Sequence, residues 1–197
     1  MLRGLRGRGF RGGARVSPYL DSMRKWVQPA GPKEGADPVR VSRAYVALRR
    51  GVLAASPAAL GIVPSERLPR VWAVLADLEV GAEAATVACV ADGTASLYTS
   101  SAGGILGAGA EPRVASAAGQ LLEVAERVLD ALPVADRIAL PPAGSVAFLV
   151  LTWEGMRRLE VPEAEAQGNA GMGAAQELYA AARDVVAELR LVDAAGG

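Results

Sequence analysis

Asp92-Gly93 stands between residues 86–91 (TVACVA) and 94–98 (TASLY), two short runs of β-branched, small and aromatic side chains. A two-residue Asp-Gly link between such runs is a strong local signal for a β-hairpin, because its tight turn needs positive φ values that Asp and Gly tolerate. The pair commits this stretch to antiparallel neighbours. Residues 70–80 (RVWAVLADLEV) precede it. They begin apolar on both faces and then set Ala76, Leu78 and Val80 against Asp77 and Glu79, as in a strand central at one end and half-exposed at the other. Residues 145–153 (SVAFLVLTW) are the most hydrophobic strand and read as a central one, and Glu154-Gly155 turns the chain into residues 156–161. Shorter strands are expected at residues 105–106 and 137–140, the latter stopped by Pro141-Pro142.

Helical periodicity separates these strands. Val41, Tyr45, Leu48 and Val52 form one apolar stripe over residues 41–55, and Ser56-Pro57 opens a short turn closed by Gly61. Pro112 opens a helix over residues 112–132, with Val114, Ala118, Leu121, Leu122, Ala125, Val128 and Leu129 on one face. Ala175, Leu178, Tyr179, Ala182, Val185, Val186 and Leu189 mark a long last helix. The order is helix, strands, helix, strands, helix. With hairpin-like links inside each strand group, it predicts an α+β fold: an antiparallel sheet of about five strands flanked by helices. This order resembles that of roadblock and wider profilin-like domains over residues 43–192. A second likeness is one of wording. Leu68-Pro69-Arg70-Val71-Trp72, Ala91-Asp92-Gly93-Thr94-Ala95-Ser96-Leu97-Tyr98 and Gly103-Gly104-Ile105-Leu106-Gly107-Ala108-Gly109 resemble a bacterial family that reads VWG, ADGTTSLY and GGGIIG at these places. Here Ala73 and Ala102 stand where that family has Gly. The likeness implies a shared fold and carries no assigned activity.

Charge divides the chain. Residues 1–50 hold 12 Arg or Lys against three acids, and the remainder holds nine Arg against 18 acids. Residues 1–40, rich in Gly, Pro and Arg, read as a poorly ordered basic segment with one short helical pattern at residues 19–27. Residues 41–192 read as a single domain, and residues 193–197 as a fraying tail. No run approaches the roughly 20 apolar residues of a membrane span. The basic opening lacks the apolar core of a secretory signal, so a cytoplasmic, bacterial protein is expected.

The chain has no histidine, which excludes Ser-His and Cys-His catalysis and His-ligated metals. Its two lysines, Lys25 and Lys33, both lie in the basic segment, so a domain lysine nucleophile is excluded as well. Cys89 is alone, in an apolar run, and reads as a buried inert thiol. No cofactor and no metal site is expected. Four features remain. Gly103, Gly104, Gly107 and Gly109, ahead of a helix, could offer backbone amides to a phosphate. Yet no Lys or Arg sits in that passage and Glu111 follows it, so backbone crowding is the plainer reading. Asp77 and Glu79 share a strand face at a spacing of roughly 7 Å, which suits a carboxylate pair but fits a solvated strand end better; Glu163 and Glu165 repeat the spacing in a loop. Ser100 and Ser101 lack a base. Arg3, Arg6, Arg8, Arg11 and Arg15, with Phe10, form an Arg-Gly tract that could meet nucleic acid or an acidic surface. Trp72 and Trp153 read as core anchors, whereas Trp26 is placed to dock on the domain or on a partner.

The expected function is that of a non-enzymatic interaction or regulatory module that self-associates as a homodimer. Residues 94–98 or 156–161 would supply the sheet edge. A nucleotide- or phosphate-ligand protein using residues 103–109, and a nucleic-acid-binding protein using the Arg tract, are the alternatives.

Overall fold

The computed structural model describes residues 42–168 and 173–196. The Arg tract, Trp26 and the helical pattern at residues 19–27 lie outside them. Six antiparallel strands form one sheet: β1 (Val71–Val80), β2 (Glu83–Val90), β3 (Ala95–Thr99), β4 (Gly104–Ile105), β5 (Ser145–Thr152) and β6 (Gly155–Pro162), in the order β4-β3-β2-β1-β5-β6. Helix α1 (Arg43–Leu53) lies on one face, and α2 (Pro112–Val128) and α4 (Ala174–Gly196) lie on the other. A five-residue helix, α3 (Glu163–Gln167), joins β6 to α4 where the sequence reads as a loop.

Each element starts where local chemistry allows. Ser42 caps α1, its Oγ accepting the Tyr45 amide at 3.1 Å, and Gly61 closes the following turn at φ 70°. Gly93 sits at φ 89° in the β2–β3 turn, where a residue with a side chain would be strained. β1 pairs with β2 and β5, and its register shifts between Val71 and Ala73. That bulge lets Trp72 and Ala73 both join the α1-side core, after which β1 alternates strictly. Val74, Ala76 and Leu78 then meet α2 and α4, while Leu75 meets Tyr45, Leu48 and Val52 of α1.

Three expectations change. Residues 137–140 form no strand. Only Val134 makes an isolated bridge, to Arg157, and the proline-rich stretch 133–144 runs from the start of β6 past Arg49 on the α1 side to Glu79 as an irregular strap. Residues 94–98 are not an edge, because β4 pairs with β3 at Leu97–Ile105 and Tyr98–Gly104. Helix α4 continues through four of the five residues of the expected tail, to Gly196, helped by Ala194 and Ala195. Among the described residues, no helix is long and apolar enough to cross a membrane.

Candidate functional site

The α1 side of the sheet holds a buried polar cluster. Tyr45 and Arg49 are four residues apart and so project from one helix face, above Asp77 of β1 and its cross-strand partner Thr86 of β2. Arg49 grips Asp77 twice, Nε to Oδ1 at 3.0 Å and Nη2 to Oδ2 at 2.6 Å. Thr86 Oγ1 donates to Asp77 Oδ1 at 2.6 Å and meets Tyr45 Oη at 2.8 Å. The remaining Arg49 nitrogen, Nη1, donates to the Ile138 carbonyl of the strap at 2.6 Å. All four side-chain partners are buried.

This geometry corrects the solvated strand end expected for Asp77 and Glu79. Asp77 is 1% exposed, and its carboxylate is occupied by a guanidinium and a hydroxyl. Glu79 accepts the Gly144 amide at 3.1 Å. The two carboxylates share a strand face but have separate partners. Burial pushes the Tyr45 phenol up to about 12. The cluster therefore clamps α1, β1, β2 and the strap together, and the Tyr45 phenol keeps its proton near neutrality.

The strap is pinned further along β6. Arg158 donates its amide to Pro133 O, and Ala135 donates to Met156 O, both at 2.9 Å. Glu160 receives Arg137 at 2.8 Å and also pairs with Arg158. The Arg158 hydrogen bond comes first in holding the Glu160 carboxyl below its ordinary range. Arg158 itself is 5% exposed, and its Nε and Nη1 have no hydrogen-bond partner.

The glycine passage is explained by close backbone approach. A Cβ on Gly104, which sits at φ 152°, would come within 2.2 Å of the Leu97 carbonyl oxygen. One on Gly109 would come within 1.6 Å of the Gly93 oxygen. The Gly107 amide donates to Ser96 Oγ at 3.1 Å. Gly103 packs on Thr99 Oγ1. Glu111 occupies the N-cap of α2 without a side-chain cap bond. Ser100 is buried and its carbonyl receives the Ser42 amide, while the Ser101 hydroxyl donates to Glu83 at 2.9 Å. Glu163 accepts the Tyr179 hydroxyl at 2.6 Å, which ties α3 to α4 and separates it in role from Glu165.

A concave feature lies where β5 turns into β6. A groove of about 420 Å³ runs between Pro64 and Pro69 on one side and Val134, Trp153 and Met156 on the other, with Arg70, Asp130, Glu154 and Arg157 at its margins. Val63 and Val134 beside it are 74% and 70% exposed. The Trp153 ring is only partly buried, in the β5–β6 turn, and its Nε1 has no partner. Arg70 braces the floor of this end. Its Nε donates to Glu126 at 2.5 Å and its Nη1 to Asp130 at 2.7 Å. Burial alone would raise the Glu126 carboxyl, but donation from Arg70 and from the Val71 and Arg70 amides holds it low.

Among the described residues, no group of three or more His, Cys, Asp or Glu side chains could hold a metal ion. Comparison with protein-family models, with curated proteins and with solved structures finds no match. Sequence reasoning missed Arg49, although a signal was present: it follows Tyr45 by four residues and falls on the apolar stripe of α1, where a charged residue needs a buried partner. It also missed the groove, because residues 62–69 and 133–136 meet there only through the tertiary fold.

Proposed function

We propose that this protein is a non-enzymatic interaction module whose contact surface is the groove at the β5–β6 turn, and that it self-associates there. The observation that carries the reading is the pair of exposed aliphatic residues, Val63 and Val134, flanking a groove walled by Trp153, Met156 and two prolines. Solitary exposed valines need no explanation, but two beside a concavity that also presents Trp153, Met156 and two prolines among its charged residues form a patch that gains by being covered. Chemistry supports it from the other side. The polar groups buried under α1 are tied to one another, and the chain has no histidine and no lysine beyond residue 33.

The same surface is a better meeting place for a second copy than the sheet edge. On β6 the residues whose backbone groups point away from β5 are Met156, Arg158, Glu160 and Pro162. The first two are already bonded to the strap, and Pro162 has no N–H. The strap takes Met156 O and Arg158 N, so the outward ladder of β6 is interrupted at both ends and is a poor edge for a sheet to continue into a partner. Light scattering of the whole chain and of a Val134→Asp variant tests the assignment, since a charge at that position should remove self-association without touching the core.

A further inference from the structure

We infer that residues 19–27 of this same chain dock in the groove and cover it, an inference that rests on the groove being the contact surface. Tyr19, Leu20, Met23, Trp26 and Val27 follow a helical spacing that gathers them on one face, with Arg24 and Lys25 beside the tryptophan. That combination, an apolar stripe with an aromatic anchor and adjacent positive charge, suits a groove walled by Trp153, Met156 and two prolines with exposed carboxylates nearby.

The groove's margins carry both signs: Arg70 and Arg157 line it beside Asp130 and Glu154, and Arg70 is already paired with Glu126 and Asp130. Glu154 at the groove's end, Glu66 between the two prolines, and Asp136 two residues past Val134 are exposed, and none forms a salt bridge among the described residues. Across the chain the complementarity is larger: 12 basic residues against three acids before residue 51, nine against 18 after it. Opposite charges of this size steer the segment toward the domain, and the apolar face then sets where it rests.

Reach permits it. The described chain begins at Ser42, whose amide binds Ser100 O just beyond the end of β3. The groove lies at the opposite end of the sheet, beside Arg70 and Thr152. The separation is about one strand length, roughly 33 Å for ten residues. The 14 residues between Val27 and Ser42 can span up to about 50 Å. A tether of that length presents the segment at an effective concentration on the order of millimolar, well above that of a second copy in a micromolar solution. The segment therefore acts as a built-in competitor for whatever the groove binds.

The lysine distribution makes the test unambiguous. Lys25 and Lys33 are the only lysines, so a zero-length carbodiimide crosslink from a lysine to a carboxylate reports where this segment lies. In the full chain, Lys25 should be joined to Glu154, Glu66 or Asp136 within the single-chain band. Trp26→Ala should lower that yield at least about fivefold, as loss of an aromatic anchor does. It should also let self-association begin at lower protein concentration. Crosslinks from Lys25 to Glu111, Asp184 or Glu188 on the helical side, an even spread over exposed acids, or crosslinks formed only between two chains would each overturn the inference. The Val134→Asp result would stand apart from any of these, so failure of the docking segment is distinguishable from failure of the groove.

Discussion

Arg49 and Asp77 form a buried ion pair 2.6 Å apart between α1 and the middle of β1, with side chains 7% and 1% exposed. Taking both charges out of water costs several kcal/mol per ion, and the pair is sustained by the additional donors and acceptors around it. Thr86 completes the carboxylate and Ile138 O completes the guanidinium. The pair therefore joins three parts of the chain distant in sequence.

Removing one partner should be far worse than removing both. Asp77→Ala leaves a buried guanidinium unpaired and should cost about 3–5 kcal/mol in chemical denaturation. Combining Asp77→Leu with Arg49→Met should recover most of that loss, and a double-mutant cycle would show the coupling. A single-variant cost below about 1 kcal/mol would mean that the pair does not hold α1 to the sheet.

Backbone conformation separates two small residues in one passage. Ala102 is the only described non-glycine residue at positive φ, 74°, so Ala102→Gly should raise stability by about 1 kcal/mol in urea titrations. Gly109→Ala should do the reverse, because its Cβ would fall 1.6 Å from the Gly93 oxygen. An expressed, fully stable Gly109→Ala protein would contradict the packing of this passage on the β2–β3 turn.

Alkaline conditions should weaken the fold before they alter its surface. Burial pushes the Cys89 thiol up to about 12, and burial likewise pushes Tyr45 to about 12. Both groups stay neutral in the folded chain while the unfolded chain loses these protons from about pH 9 upward. Their contribution is therefore complete below about pH 9 and declines as pH rises toward 12. Urea midpoints at about pH 8 and about pH 11 measure it. In the same protein, a thiol reagent at neutral pH should label Cys89 only after denaturation; rapid labelling of native protein would contradict its burial on β2.

Arg158 presents the opposite case from Arg49. Two of its three guanidinium nitrogens lack partners, and its one acceptor, Glu160, retains Arg137 when Arg158 is removed. Arg158→Met should therefore leave stability within about 1 kcal/mol of the parent or raise it, because a buried, half-satisfied charge is replaced by an apolar chain. A loss of 3 kcal/mol or more would show that the free nitrogens have partners such as ordered water.

The hairpin at Asp92-Gly93, the strong strand over residues 70–80 and the long helices were legible because each rests on local rules of turn chemistry and periodicity. The antiparallel sheet flanked by helices followed from their order. What was not legible depends on distant segments meeting. Residues 137–140 have strand-like composition, yet the flanking prolines remove donors and the segment becomes a strap. Asp77 looks like a solvated strand residue until Arg49, 28 positions earlier, is placed above it. The glycines of residues 103–109 gave a phosphate-loop alternative beside the plainer crowding reading; Gly109 packing on Gly93 is a contact across 16 positions. The groove has no sequence signature, since the valines, prolines and tryptophan that border it come from three separate stretches.

The central claim is that the apolar groove beside Val134 is where this protein meets a partner, a second copy included. Its most direct test is mass by light scattering on the whole chain, from about 1 to about 100 micromolar. Trp26→Ala protein, whose groove is left open, should rise above the single-chain mass of 20.2 kDa with concentration, and the Trp26→Ala, Val134→Asp double variant, equally stable, should stay near that mass throughout. A Trp26→Ala mass that never rises, or a double variant that rises along the same curve, would contradict the assignment of the groove.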